Sequence, residues 1–262
     1  MKFVLAAAAA ALSFPASADQ LLDAALANGG AYSGSDWAYY ATTKVWAGGS
    51  TVVGDLIDRT TNGVRDRPAL RNTRVIFYDP TKPQELRTKV IRDSDQEGPQ
   101  VRVKPGHKRS KDRKIEDYPN YSEIRGLIEG QATKTGETAR TATYRFQVDP
   151  AKVRKFGSAD IQIDSKAPLP KFAGTLTVQK SGVGAPYVSS VIVALPTGNK
   201  GRGNAAGKVR LMSMGLRFAP DPVKGVKLLQ ALGLDTSLQG LGLVTVDLSV
   251  LNRIEGYRYV GK

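Results

Sequence analysis

Cysteine is absent from the 262 residues of the chain, and histidine occurs once, at position 107. The absence of cysteine excludes disulfide bonds, thiolate nucleophiles, and zinc or iron–sulfur centres held by cysteine. His107 stands between Gly106 and Lys108 in a basic stretch, with no carboxylate just before it to orient the ring. The sequence therefore does not predict a Ser-His-Asp triad, which needs a histidine as its proton acceptor.

The patterns for acid–base and phosphate chemistry are also weak. Asp93 with Asp95, and Glu116 with Asp117, are carboxylates close in sequence, but both pairs lie in polar stretches where no pKa shift is expected. The segment Gly203–Val209 resembles a phosphate-binding loop only superficially, because its glycine spacing is short by one and no Ser or Thr follows the lysine. We expect no catalytic residue, no metal and no cofactor, and an enzyme ranks third among the functional hypotheses.

The first eighteen residues have the pattern of a secretory signal peptide. Lys2 supplies a positive charge, the apolar stretch Phe3–Phe14 follows, and small residues stand at Ala16 and Ala18. We expect cleavage there and a mature chain that begins at Asp19. The apolar stretch is too short for the roughly 30 Å hydrocarbon core of a membrane, and the lack of cysteine excludes a lipoprotein anchor. The expected location is a Gram-negative periplasm, with full secretion left open.

Positive charge exceeds negative charge by a wide margin. Lys and Arg number 38 against 24 Asp and Glu, for a formal net charge of +14. In an exported protein such a charge favours encounters with anionic lipid headgroups, lipopolysaccharide or cell-wall polymers. We expect no nucleic-acid partner, and the sequence leaves the oligomeric state unknown.

The mature chain is predicted to open with a short helix. Asp19 would be its N-cap, Leu22 and Ala25 would lie on its apolar face, and Gly29-Gly30 would end it. Two further short helices are predicted. One has Asp149 as N-cap and ends at Gly157; the other runs from Asp221 to Gly233 with Val223, Val226, Leu229 and Leu232 toward the core.

Most of the remaining chain alternates apolar and polar residues with a period of two, which is typical of strands with one buried face. The clearest examples are Ala142–Val148, Gly174–Lys180, Arg210–Phe218 and Val244–Val250, the last with Val244, Val246, Leu248 and Val250 buried. Further strands are predicted at Trp37–Trp46, Ser50–Arg59, Thr73–Tyr78, Leu86–Ile91, Tyr187–Leu195 and Glu255–Val260, with a hairpin turn at Ala47-Gly48-Gly49.

About ten one-sided strands and few helices leave two architectures open, a closed or sandwiched β domain and one large curved antiparallel sheet partly covered by helices. The helices favour the second. We therefore predict an α+β, mainly β fold: a half-barrel over residues 19–262, formed as a single domain.

Several short segments resemble those of a known group of proteins. They are Ile76–Pro80, Ala142–Phe146, Gly174–Lys180 and Pro186–Val193. In type and order they resemble uncharacterised proteobacterial exported proteins and, more remotely, the LolA/LolB-type lipoprotein carriers. This resemblance, from about Trp37 to Val260, implies an unclosed barrel that holds acyl chains or another apolar ligand. The basic segment Lys104–Lys114 is not part of the carriers' pattern, and no lipid-binding residue can be aligned.

The candidate groove residues are the apolar side chains of the best-defined strands. They are Tyr144, Phe146, Leu176, Val178, Met212, Met214, Leu216 and Phe218. The flexible thioether of methionine suits a surface that meets variable ligands. The alternative interpretation is that these side chains are simply the hydrophobic core.

The candidate anion-binding residues are concentrated in one short basic run, within positions 101–117. They are Arg102, Lys104, Lys108, Arg109, Lys111, Arg113 and Lys114. Dense positive charge is enough for backbone-type binding to a polyanion. The run lacks interleaved aromatic residues, and Pro105-Gly106 indicates a loop, so a solvated loop is the alternative.

These observations favour a non-enzymatic periplasmic protein that binds a lipid or another amphiphile, as a carrier or an envelope-maintenance factor. The alternative is an envelope interaction or scaffold protein whose basic surface docks an acidic partner or polymer. A sheet interior filled by the chain's own side chains would favour this alternative.

Overall fold

The computed structural model describes residues 19–30, 34–47, 53, 70–95, 119–155, 170–195, 207–240 and 245–261. The predicted signal peptide, the basic run, and nearly all of the predicted strand Ser50–Arg59 with its hairpin turn lie outside these residues.

Ten strands of the described residues form a single antiparallel sheet. They are β1 (Trp37–Ala47), β2 (Leu70–Tyr78), β3 (Thr88–Asp95), β4 (Glu129–Glu137), β5 (Thr141–Val148), β6 (Phe172–Gln179), β7 (Tyr187–Ala194), β8 (Gly207–Pro220), β9 (Lys227–Gly240) and β10 (Thr245–Tyr259). Their order is β3-β2-β1-β10-β9-β8-β7-β6-β5-β4, so the first and last described strands pair with each other in the interior of the sheet. The ten described strands do not close into a barrel, which confirms the predicted fold class.

Three short helices are described alongside the sheet. They are α1 (Gln20–Ala27), α2 (Ile124–Leu127) and α3 (Pro150–Lys155). The Asp19 side chain accepts hydrogen bonds from the backbone N–H groups of Leu21 and Leu22, as an N-cap residue does. Asp149 accepts from Ala151 in the same way at α3. The cap residues therefore identified the starts of α1 and α3 correctly, and no described helix is long and apolar enough to cross a membrane.

The helix predicted from Asp221 to Gly233 is wrong. This segment forms the β8–β9 turn and the first half of β9, and Val223 at the turn is exposed rather than directed toward the core. Leu229 pairs with Phe218 while Ala231 pairs with Arg217, so Gln230 is an extra residue in the ladder. This bulge puts Leu229 and Leu232 three residues apart on one face and imitates helical spacing.

Three other strand predictions need correction at their faces or ends. In β10 the predicted core residue Leu248 is 38% exposed, whereas Ser249 is buried and donates to the buried carboxylate of Asp235 at 2.6 Å. Asp235 also accepts from the backbone N–H of Val53 at 2.8 Å, so polar contacts fill the opposite face there. In addition, β3 begins at Thr88, and the predicted segments Val244–Val250 and Glu255–Val260 are parts of one strand, β10.

The two edges of the described sheet differ in character. At β4 the register with β5 shifts twice, Gly130 has a φ of +70°, and most residues are exposed, among them the charged Lys134 and Glu137. At the other edge, β3 exposes the apolar side chains of Val90 and Ile91. β4 was not predicted, because it has no buried face to produce an alternating pattern.

Candidate functional site

The side chains predicted to line a groove share one face of the sheet, which we call the inner face. Two rows of directly paired residues cross five strands: Tyr144, Leu176, Val191, Leu216 and Leu232 form one, and Phe146, Gly174, Val193, Met214 and Leu234 form the other. Val178, Met212 and Phe218 belong to the same hydrophobic cluster. The structure therefore brings all eight predicted residues together.

The inner face is covered by the chain's own helices. None of the eight side chains is more than 5% exposed. The side chains that pack with them in one cluster are Leu22 and Ala25 of α1, Ile124 and Leu127 of α2, and Val153 of α3. A ligand at the inner face would therefore have to displace part of this cover, so the assignment of these residues to a groove stays a prediction.

Polar contacts hold the N-terminal end of α1 to the rim of the inner face. The ammonium of Lys134 lies 3.1 Å from the Asp19 carboxylate and 3.2 Å from that of Glu137. Burial acts to raise the pKa of Asp19, but hydrogen bonds, above all from Lys134, outweigh it and lower this pKa from its ordinary value of 3.8. Hydrogen bonds from Lys180 and then Lys134 lower the pKa of Glu137. Burial, with the nearby Asp19 carboxylate, raises the pKa of Tyr144 to about 12.

Tyr121 connects the middle of α1 to the sheet. Its hydroxyl donates to the carbonyl oxygen of Ala25 in α1 and accepts from the backbone N–H of Val188 in β7, both at 2.6 Å. Its ring meets the ring of Phe218 edge-on, with centroids 5.4 Å apart. Burial raises the pKa of Tyr121 to about 12, so the hydroxyl keeps its proton over the physiological range.

Asn28 holds the C-terminal end of α1. Its side-chain N–H group donates to the carbonyl oxygens of Gly184 and Pro186, at 3.0 and 2.8 Å. Its amide oxygen accepts from the ammonium of Lys227 at 3.2 Å, and the backbone N–H of Lys227 donates to the carbonyl of Gly29. These contacts tie α1 to the β6–β7 and β8–β9 turns.

Sequence reasoning missed the residues that attach α1. Tyr121 lies outside every predicted helix and strand, and Lys227 fell inside the helix predicted in error. Asn28 directly precedes the Gly29-Gly30 pair that was predicted to end the helix, a position where polar side chains often satisfy backbone groups, and this was the one available signal. The predicted anion-binding residues all lie outside the described ranges, so they stay a prediction.

Within the described ranges, no group of three or more histidine, aspartate or glutamate side chains is arranged to hold a metal ion. Comparisons with protein-family models, with curated proteins and with solved structures found no match. The resemblance to LolA/LolB-type carriers therefore stays a prediction.

Proposed function

We propose that the protein binds a lipid or another amphiphile against the inner face, beneath α1, as a non-enzymatic periplasmic carrier or envelope-maintenance factor. The observation that carries the proposal is a continuous apolar face on an open sheet, covered by helices of only eight, four and six residues. Helices this short are not stable on their own in water, so their position depends on contacts with the rest of the protein.

Displacement of α1 by an acyl chain exchanges one set of apolar contacts for another. Leu22 and Ala25 are the buried side chains that α1 contributes. Each methylene of a ligand that is buried in their place contributes about 0.8 kcal/mol, so a long acyl chain can replace what these two side chains supply. The polar contacts at Asp19, Tyr121 and Asn28 would then define the closed, ligand-free arrangement.

The positive charge of the protein supports a role at an anionic surface. With a net charge of +14 the chain is attracted to anionic lipid headgroups or lipopolysaccharide. The basic run at positions 101–117 would lie near the headgroup or the membrane surface while the inner face holds the apolar part.

Titration with the uncharged fluorescent probe N-phenyl-1-naphthylamine tests the proposal. We expect saturable binding with enhanced, blue-shifted emission, because the probe enters an apolar site. Emission that rises only linearly with probe concentration contradicts the proposal. N-terminal sequencing of the exported protein tests the location separately, with Asp19 expected as the first residue.

A second candidate function is an envelope interaction or scaffold protein that docks an acidic partner or polymer. The complete burial of the eight predicted groove residues favours it, since these side chains already form a packed core. A negative probe titration, together with salt-sensitive retention on an anionic cell-wall polymer, would support this candidate over amphiphile binding.

A further inference from the structure

Lys227 is a buried lysine whose ammonium, among the described residues, donates hydrogen bonds to neutral oxygens only. The residue is 4% exposed, and its ammonium donates to the Gly225 carbonyl at 2.7 Å and to the Asn28 amide oxygen at 3.2 Å. In the part of the chain that the structure describes, no carboxylate forms an ion pair with it. Lysine is rarely buried without an anionic partner, because removing the charge from water is costly.

The electrostatics agree with this geometry. Burial lowers the pKa of Lys227 below its ordinary value of 10.5, and burial is the single cause of the shift. A neighbouring carboxylate would have raised the pKa instead. An ammonium has three protons to donate, and the two bonds to Gly225 and Asn28 account for two of them.

The position of Lys227 relates it to the inner face. Lys227 pairs with Pro220, and two residues further along β9 Leu229 pairs with Phe218. Residues two apart on a strand lie on the same side of the sheet, so Lys227 is on the side of Leu229 and Phe218, which belong to the hydrophobic cluster of the inner face. It therefore marks one end of that face, beneath the C-terminal end of α1.

We infer that Lys227 anchors the headgroup of the ligand, and that the ligand class is a single-chain amphiphile with an anionic oxygen headgroup, a carboxylate or a phosphate. This inference rests on the proposed function and names the chemistry of the same site. When the C-terminal end of α1 moves away, Asn28 withdraws its amide oxygen from the ammonium. An anionic headgroup takes that place and supplies the missing counter-charge, while the acyl chain lies along Phe218 and the rows beyond it.

A purely structural role is the competing explanation, because a cation at a helix C-terminus also stabilises the helix dipole. The two roles differ in their dependence on ligand charge. A headgroup anchor discriminates between charged and uncharged ligands of the same chain length, whereas a structural lysine affects all ligands alike.

The test is competition against bound N-phenyl-1-naphthylamine by three ligands with the same oleyl chain: oleate, oleoyl lysophosphatidate and oleyl alcohol. With the unmodified protein we expect at least one of the two anions to bind about tenfold or more tightly than the alcohol, as a charge-assisted hydrogen bond predicts. The tighter of the two anions identifies the headgroup as carboxylate or phosphate. Equal affinity for all three ligands would overturn the inference while leaving the proposed function intact.

Variants provide the second readout. Lys227→Met should weaken the binding of the two anions about tenfold and leave the affinity for oleyl alcohol unchanged. Lys227→Arg should retain most of the preference for anions. Lys224→Met is the matched control, because it removes an exposed lysine from the same turn, where the ammonium lies over the Tyr259 ring.

An equal loss of affinity for all three ligands in Lys227→Met indicates the structural role and overturns the inference. If Lys227→Met does not fold, the affinity of the unmodified protein for the two anions relative to oleyl alcohol tests the inference. Failure of the probe and of all three ligands to bind overturns the proposed function, and the inference with it.

Discussion

The ring of Phe146 lies over Gly174, its directly paired neighbour across β5 and β6. A Cβ atom at Gly174 would lie 2.5 Å from two carbons of that ring, closer than real side-chain carbons approach. Both residues are buried in the core row that also contains Val193 and Met214. The absence of a side chain at Gly174 is therefore what allows the aromatic ring to fill this part of the inner face.

Gly174→Ala should destabilise the protein by about 1–3 kcal/mol, because the added methyl group overpacks the core. Urea unfolding followed by circular dichroism measures the change. Gly136→Ala is the control, since its Cβ atom would lie 4.0 Å from the nearest heavy atom, in Thr143. A double variant with Phe146→Leu should recover part of the loss. Equal stability of Gly174→Ala and the unmodified protein would show that the ring has room to move.

Tyr121→Phe should lower the free energy of unfolding by about 1–3 kcal/mol. Removal of the hydroxyl leaves the buried N–H group of Val188 without its hydrogen bond and releases Ala25 of α1 from the sheet. Hydrogen exchange should also speed up in α1, a change not expected from a core defect elsewhere. Tyr40→Phe, at an exposed tyrosine, should change stability by less than about 0.5 kcal/mol. Unchanged exchange in α1 would argue against Tyr121 as its attachment.

The contacts at the rim predict a specific response to acid. The pKa values of Asp19 and Glu137 are lower in the folded protein than their ordinary values of 3.8 and 4.5. Carboxylates with lowered pKa values contribute stability that is present at neutral pH and is lost as the pH falls below about 4. Lys134→Met should shift the pKa of Asp19 upward in an NMR titration and reduce the acid dependence of stability.

The variant Lys180→Met distinguishes the cause of the lowered pKa of Glu137 from that of Asp19. Lys180 contacts Glu137 and is the first cause of its lowered pKa, whereas the chief cation at Asp19 is Lys134. We therefore expect Lys180→Met to raise the pKa of Glu137 and to leave that of Asp19 in place. A pKa of Asp19 that does not respond to Lys134→Met would contradict the ion pair.

A disulfide between the segment that follows α1 and the residue that precedes β9 should block binding of the proposed ligand. A Cβ atom at Gly30 would lie 3.7 Å from the Cβ atom of Val226, within the roughly 3.5–4.5 Å range of disulfide-bonded cysteines. Because the chain has no cysteine, the double variant Gly30→Cys/Val226→Cys contains only this pair. We expect oxidation to abolish saturable probe binding and dithiothreitol to restore it.

The single variants Gly30→Cys and Val226→Cys are the controls, and they also measure the strain of a side chain at the positive φ of Gly30, +72°. Probe binding that persists in the oxidised double variant would show that the C-terminal end of α1 does not need to move.

The sequence predicted the inner face well where one side of a strand is apolar and the other polar. In β5 alternation placed Tyr144 and Phe146 in the core, and both are buried. The alternation failed as a guide where a strand contains an extra residue or buries polar side chains. The bulge at Gln230 changed the spacing in β9, and the buried pair Asp235–Ser249 reversed the expected faces of β10. A bulge changes the apolar spacing in a way that a helix also produces, and a buried polar pair has the same sequence pattern as two exposed residues.

The site could be predicted only in part. Its apolar wall follows from strand patterning, but the attachment of α1 depends on contacts between residues far apart in sequence. The Asn28–Lys227 contact spans 199 positions, and a lysine is expected to be exposed unless a partner is known. Such contacts follow from strand order and register, which the sequence pattern does not specify.

The unlike edges of the sheet limit how copies of the protein can assemble. Fibre growth by strand addition needs two competent edges on each copy, one to receive a strand and one to offer it. The β4 edge, with two register shifts, a positive φ at Gly130 and exposed charges, is a poor template. The β3 edge has one register shift, at Ile91, and exposes the apolar side chains of Val90 and Ile91. Association through β3 alone joins two copies symmetrically and then stops. The open sheet of the described strands is in this way protected against polymerisation.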